Sequence, residues 1–313
     1  MKKHYGVKLY DRRFCNAADL DLMEECGLNT VFLGRGALDV SFSRELTRRG
    51  FFWNIVEPVF LLEPDDPRAL ATLKDGKPAE SDWVRFACPT DSDRIEAVRA
   101  RIAEDIRSYD PPGVSLDFIR FFQYWETTDP RTPAHRLPQS CFCPRCMEMQ
   151  KAFRSLPEWR RHVISSTAKY LCESAGSLKP SLRIGIHCVP WTQDMFGGAV
   201  CDVVGQDFHE LSEIGDYLTP MIYHHMMRLS PDYVQLFMKD MESQGCSCIL
   251  PSVQVKEAYR EDKMGPQEFG RALELALQGN SDGVVLYKWE DLAADSVKLG
   301  ILRSTLSEAG LRS

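Results

Sequence analysis

The chain has 313 residues, 44% of them hydrophobic, and a formal net charge of −7. That length supports a large core, arranged as two small domains or one large barrel, and the acidic balance excludes a general nucleic-acid binder, which needs a basic excess to neutralise phosphates. No apolar run approaches the roughly 20 residues that span a bilayer, and the opening MKKHYGVKLYD lacks the apolar stretch of a signal peptide, so no membrane partner and a cytoplasmic location are expected for the sequence as given, a trimmed leader aside.

Taken in order, the chain alternates strand and helix patterns. A first strand is predicted from Tyr5 to Tyr10, followed by a helix capped by Asn16 and stopped at Gly27. A second strand, Thr30 to Leu33, leads to a short helix around Ser43 to Arg49. The third, Phe51 to Val56, delivers Glu57 to its carboxyl end and opens an irregular excursion from Val59 to Pro89. Ser92 or Asp91 then caps a helix with Ile95, Val98, Ile102 and Ile106 on one face. The fourth strand begins at Gly113 and carries Asp117 and Arg120 at its far end.

The second half repeats the scheme. A helix from about Leu156 to Glu173 is expected to stop near Gly176. Strand five, Arg183 to Val189, brings up His187 and then Trp191. Strand six runs from Tyr217 to Tyr223, with His224 beyond it. A helix from Pro231 to Gln244 precedes strand seven, Ser247 to Val253, which leads to Gln254. A helix opening at Pro266 precedes strand eight, Gly283 to Tyr287, which leads to Trp289 and Glu290.

Eight strand-helix units with no Gly-x-Gly-x-x-Gly after any strand predict a single-domain (β/α)8 barrel over residues 1–313, with a long loop after strand three and a Cys-rich loop after strand four. Catalytic groups of such barrels gather at the carboxyl ends of the strands. One pocket should therefore collect Asp117, Glu290 and Glu57 as catalytic carboxylates, with Arg120, His187, Trp191, Tyr223, His224, Gln254 and Trp289 as substrate-binding groups. Aromatic rings to stack on sugar faces, polar groups for hydroxyls and a carboxylate proton donor are what carbohydrate chemistry needs. Each residue also has a plainer role: a strand-end Trp packs, Asp117 pairs with Arg120 or a lysine of a neighbouring strand, Glu290 caps the last helix, and one of His224 and His225 must face away from the barrel.

The sequence holds eleven cysteines, an odd number scattered too widely for a disulfide framework. Cys141, Cys143 and Cys146 are different, because three thiols within six residues converge on a metal without long-range folding. Cys88, in the loop after the neighbouring strand, is the natural fourth ligand, with His135 as second choice. An all-cysteine site is closed, so a structural zinc is expected, pinning the loop; iron-sulfur ligation and reduced thiols without metal are the alternatives.

SLDFIRF at strand four, CFCPRC, EWRRH, GQDF, PMIYH at strand six and LYKWEDL at strand eight resemble the uncharacterised glycoside-hydrolase-like (β/α)8 barrels of bacterial carbohydrate-utilisation loci. ACP with CFCPRC also resembles the zinc-binding cysteines of the family 42 β-galactosidases, which implies Cys88, Cys141, Cys143 and Cys146 as ligands. The chain departs from that family where an Asn-Glu pair and a strand-seven Glu nucleophile belong: it has Leu116-Asp117 and Gln254. PMIYH and the Trp289 segment are closer to chitinase-like barrels, in which the substrate's acetamido group replaces the nucleophile, although the full chitinase acidic motif is missing.

The resulting expectation is a glycoside hydrolase acting on an oligosaccharide or glycoside, with Asp117 as nucleophile or transition-state stabiliser and Glu290 or Glu57 as proton donor. No organic cofactor is expected. Two other classes remain open: a catalytically silent barrel that binds sugar or a partner, and a metal-dependent sugar isomerase or hydrolase whose ligands would be Glu57, Asp117, His187 and Glu290.

Overall fold

The structure is a computed structural model that describes residues 3–279 and 281–311. Among these residues eight parallel strands make one sheet: β1 (His4–Leu9), β2 (Thr30–Leu33), β3 (Phe52–Pro58), β4 (Gly113–Asp117), β5 (Arg183–Cys188), β6 (Tyr217–Pro220), β7 (Ser252–Gln254) and β8 (Gly283–Tyr287). Neighbours in the sheet follow chain order, and β8 pairs with β1, Val7 opposite Leu286. Parallel bridges from Leu218 to Ile249 and from Met221 to Ser252 join β6 to the β7 segment. The sheet thereby closes on itself into a (β/α)8 barrel.

Helices α1 (Ala17–Glu25), α2 (Val40–Arg48), α3 (Ser92–Tyr109), α4 (Leu156–Leu178), α5 (Phe208–Ile214), α6 (Tyr233–Ser243), α7 (Pro266–Leu277) and α8 (Ser296–Leu311) follow the strands in turn. Their starts obey local chemistry. Asn16, Asp91 and Ser155 each accept a hydrogen bond from a backbone N–H of the first turn, and Pro266 opens α7 where its missing N–H costs nothing. With helices outside and side chains inside, every residue of β2 and β4 is buried, as parallel strands covered on both faces require. Gly185 on β5 leaves room for the Tyr217 ring, which a Cβ would meet at 2.3 Å; the Tyr217 hydroxyl donates to Asn54 Oδ1 at 2.7 Å and plugs the barrel's lower end.

Several predicted boundaries move for physical reasons. Strand four stops at Asp117, not Arg120, because Phe118 takes a left-handed backbone, φ 51°. Strand six ends at Pro220, and regular strand seven starts only at Ser252, its upstream part held by the single bridges of Ile249 to Leu218 and Ser281. Helix α4 passes through Gly176 to Leu178 and ends where Lys179 must turn extended ahead of Pro180. The excursion after β3 contains a two-stranded hairpin, Glu80–Ser81 with Val84–Arg85.

Between β3 and α3 lies a buried charge cluster. Glu57, with no exposed surface, accepts from Arg35 Nη1 at 2.7 Å and from Arg101, and Arg35 also reaches Asp105 of α3 at 2.8 Å. Glu57→Gln leaves two half-buried guanidinium groups without their shared carboxylate. We expect a loss of about 3 kcal/mol in urea unfolding, the low end for breaking a buried pair; an unchanged midpoint would show that the cluster carries no stability.

Candidate active site

The carboxyl ends of the strands enclose a cavity of about 370 Å³, within the range of small-molecule sites. Lys8 of β1 lies at its floor. Its side chain is 1% exposed, and Nζ donates to His187 Nδ1 and to the Tyr223 hydroxyl, each at 3.1 Å. An ammonium offers only donors, so His187 Nδ1 must be the acceptor, and Nε2–H then donates to Ser115 Oγ at 3.2 Å. Burial, with Lys8 adding to it, holds the His187 pKa down to about 3, which keeps the ring neutral. Burial also lowers Lys8 to about 8, against the opposing pull of Asp117. The Tyr223 hydroxyl continues the network to Ser252 Oγ at 3.1 Å.

Asp117 ends β4 above this floor. Its Oδ1 accepts the Phe118 N–H at 2.7 Å and its Oδ2 lies 3.6 Å from His187 Nδ1. The chain then turns through left-handed Phe118, a conformation that a residue with a side chain adopts at some cost, and a short 3-10 turn, Trp125–Thr127, presents Glu126 to the same cavity. Glu126 is 8% exposed. Burial raises its pKa to about 7, with Asp117 adding to the rise and Arg120 opposing it. Two lining residues carry orphaned buried polar atoms: Glu126 Oε2 and Trp125 Nε1 find no partner in the protein. Among the described residues, eleven further buried side-chain atoms away from the cavity lining also lack a protein partner, but these two are the ones that a ligand or water in the cavity can reach.

Aromatic rings form much of the wall. Tyr223 and Tyr287 stack with centroids 4.8 Å apart at 23°, and Trp125 lies 5.9 Å from Tyr223. Over the cavity, Trp83 of the hairpin donates its Nε1–H to the Tyr259 hydroxyl at 2.9 Å. Arg35, Gly36 and Glu63 stand at the more exposed lip.

Of the residues singled out in the sequence, Asp117 and Tyr223 line this cavity and His187 sits beneath them through Lys8. The others are placed elsewhere. Glu57 is held in the arginine cluster behind β3. Glu290 spends Oε1 on the backbone N–H groups of Tyr10 and Asp11, both at 2.6 Å. Trp289 is fully buried and donates to Asp19 of α1 at 2.7 Å, while Trp191 packs on Phe196, centroids 4.6 Å apart. Gln254 accepts the Met226 N–H at 2.9 Å and donates to the Lys256 carbonyl. His224 and His225 both meet Glu268. Arg120 lies buried over the Phe86 ring and donates to the Gln123 carbonyl at 2.7 Å.

The residues that sequence reasoning missed had visible signals. Lys8 is a lysine inside an apolar strand, VKLY, and Glu126 follows a Trp in the loop already expected to handle ligand. The alternative catalytic metal set, Glu57, Asp117, His187 and Glu290, does not converge: among the described residues the one group of metal-ligand atoms that does is Cys88, Cys141, Cys143 and Cys146. Their sulfurs lie within 4.8 Å of one another, Cys88 being 3.3 Å from Cys146 and 3.5 Å from Cys141. A tetrahedron with metal-sulfur bonds of about 2.3 Å has edges of roughly 3.8 Å, so the four cysteines suit one ion. None of the four lines the cavity.

No family model matches the chain, and no curated protein matches its sequence. Solved structures do match. The glycoside hydrolase domain of PgaB (BpsB) from Bordetella bronchiseptica superposes with a TM-score of 0.72 at 13% identity, over 97% of this chain and 98% of that domain. The β-galactosidase of the haloarchaeon Halorubrum lacusprofundi gives 0.70 at 12% identity, and a GH42 β-galactosidase of G. stearothermophilus gives 0.69 at 11%, each over 98% of this chain. The chain spans 58% and 57% of those two enzymes. At such identities the likeness establishes the fold alone, a (β/α)8 barrel. Among these, the PgaB domain is similar to the chain over nearly its whole length.

Elemental analysis of purified protein should find one metal ion per chain, and Cys146→Ser should lose it and lower the melting temperature. Retention of the ion by that variant would mean that the cysteines are not its ligands.

Proposed function

We propose that the protein hydrolyses a glycosidic bond in this cavity, with Asp117 and Glu126 as its two carboxylates. The observation that carries the reading is their contrast within one aromatic-walled site. Asp117 accepts the Phe118 N–H at 2.7 Å, whereas Glu126 is desolvated and holds its proton near neutrality. A carboxyl that keeps its proton near neutrality, beside a second carboxyl in the same site, is what acid-assisted glycoside cleavage uses.

In this mechanism the protonated Glu126 donates to the leaving-group oxygen while Asp117 faces the carbon that becomes oxocarbenium-like, either bonding to it or stabilising its charge. Tyr223 and Lys8 are placed to receive sugar hydroxyls, and the Tyr287 and Trp125 rings to pack on the apolar faces. Glu290 and Glu57, both engaged elsewhere, are not assigned the proton-donor role. The carbohydrate-hydrolase fold of the structural neighbours is consistent with the reading.

The cysteine cluster serves this arrangement at a distance. We assign it a structural zinc, because four thiolates with no open position make a closed tetrahedral site. The ion would tie Cys88, before α3, to the far end of the loop that carries Glu126. Ser140 beside it is gripped by Arg160 of α4, whose Nη2 donates to the Ser140 carbonyl at 2.7 Å.

The test is product analysis by mass spectrometry on a panel of aryl glycosides and oligosaccharides. Asp117→Asn should abolish cleavage while leaving binding and melting temperature intact. Glu126→Gln should lower kcat by about 10²- to 10⁴-fold, the usual weight of a general acid, with recovery on aryl glycosides whose leaving group needs no proton. Binding without cleavage by wild type would mean a sugar-binding barrel instead.

The pH dependence follows from the sign of the Glu126 shift. Its pKa is raised, so the acid form persists to about pH 7 and is lost above it. Activity of the wild type should fall on the alkaline side of about 7, and Glu126→Gln should lack that limb. An alkaline limb unchanged in the variant would remove Glu126 as the acid.

A further inference from the structure

The loops over the cavity are joined across its mouth. Strands β3 and β7 stand opposite one another in the closed eight-stranded barrel. The hairpin that follows β3 nevertheless reaches the loop that follows β7, through the 2.9 Å hydrogen bond from Trp83 to Tyr259. Both partners are surface residues, 43% and 45% exposed. Asp82 at the hairpin tip and Tyr259 itself take left-handed φ of 53° and 59°.

The bridge rests on the β4 loop. The Tyr124 ring meets Trp83 edge-on at 6.2 Å and Tyr259 at 5.7 Å, and its hydroxyl donates to Asp82 Oδ2 at 3.0 Å. Trp83 also meets Phe118, next to the carboxylate, at 6.1 Å. On this side the lining is sealed: Trp125 is 1% exposed and Met226 4%. The exposed lining residues other than the bridge, Gly36 and Glu63, both lie on the β2 and β3 side. None of the exposed lining residues lies on the β4 to β6 side of the bridge.

We propose that the Trp83–Tyr259 bridge makes this a blind site that accepts the end of a carbohydrate chain, one or two rings deep, and excludes an internal stretch. The inference rests on the hydrolase reading above and adds where along a chain that hydrolase cuts. A polysaccharide cleaved internally must leave the site on both sides of the scissile bond, and the bridge with Tyr124 behind it occupies the second exit. A volume of about 370 Å³ lies at the small end of the range for ligand sites. The half-exposed faces of Trp83 and Tyr259 would then stack on the first ring outside the cavity.

The experiment uses β-1,4-linked hexamers of N-acetylglucosamine, glucose and galactose, labelled at the reducing end, with products resolved by mass spectrometry in the first few per cent of conversion. Wild type should release mono- or disaccharide from one end only. Trp83→Ala, at an exposed position, should raise the yield of mid-chain trimers by about tenfold or more, a change of the size that one pocket contact controls. Tyr259→Phe, which removes only the hydroxyl that receives the hydrogen bond, should shift the pattern in the same direction by less. Trimers from wild type at the earliest times, or an unchanged pattern in Trp83→Ala, would overturn the inference while leaving the hydrolase reading in place. No product from any hexamer with any of the three proteins, alongside activity on aryl glycosides, would overturn the inference alone; no product from either kind of substrate would overturn both.

Discussion

Burying an ammonium group inside a barrel is costly unless partners from the surrounding strands converge on it. Lys8 meets that condition with groups from around the ring: His187 from β5, Tyr223 beyond β6 and, through them, Ser115 on β4 and Ser252 on β7. Each of these groups is fixed by the demand of a single cation. The floor is therefore a charged network whose geometry the whole strand register must respect. Removing any strand's contribution would leave a buried polar group unpaired, the most expensive kind of local error.

The loop after β4 solves a different problem. It carries a carboxyl group into a dry wall although it has little regular structure of its own, and such a loop needs fastening at several points. Its near end is set by Asp117 and Phe118. Its middle is held by Arg120 and Gln123, which bond the carbonyls of Gln123 and Pro138 respectively. Its far end is gathered by the cysteines and by Arg160. Glu126 can be desolvated only because these ties keep water from reopening the wall, so the raised proton affinity of that side chain is a product of distant fastenings.

The barrel was legible because its determinants are local and periodic: the caps at Asn16, Asp91 and Ser155, the proline opening α7, and short apolar strands between helical stripes. The cysteine convergence was legible for a similar reason, since Cys141, Cys143 and Cys146 are close in sequence and Cys88 precedes the adjacent strand. The site was read less well. Asp117 and Tyr223 came from the rule that strand ends face the pocket, but the same rule overreached at Gln254, Trp289 and Glu290, where one step of side-chain direction decides between cavity and wall. Gln254 and Glu290 satisfy backbone groups and Trp289 satisfies Asp19, roles that a one-dimensional pattern does not distinguish from ligand contact. Glu126 was hidden because no periodicity says which residue of an irregular loop will fold inward, and the Trp83–Tyr259 contact because its partners are far apart in sequence.

Phe118 joins two parts of this molecule. Its amide holds one oxygen of Asp117, and its ring meets Trp83 and Phe86 in the aromatic wall. Its left-handed backbone is what lets one residue do both. The consequence is evolutionary: in barrels whose recognition loops are exchangeable modules, specificity drifts while the reaction is kept, but here a lineage that remodels the roof also re-aims the carboxylate. Divergence in this protein's descendants should therefore run through the opposite lip, around Gly36 and Glu63, where the chain can vary without passing its changes to the reacting groups.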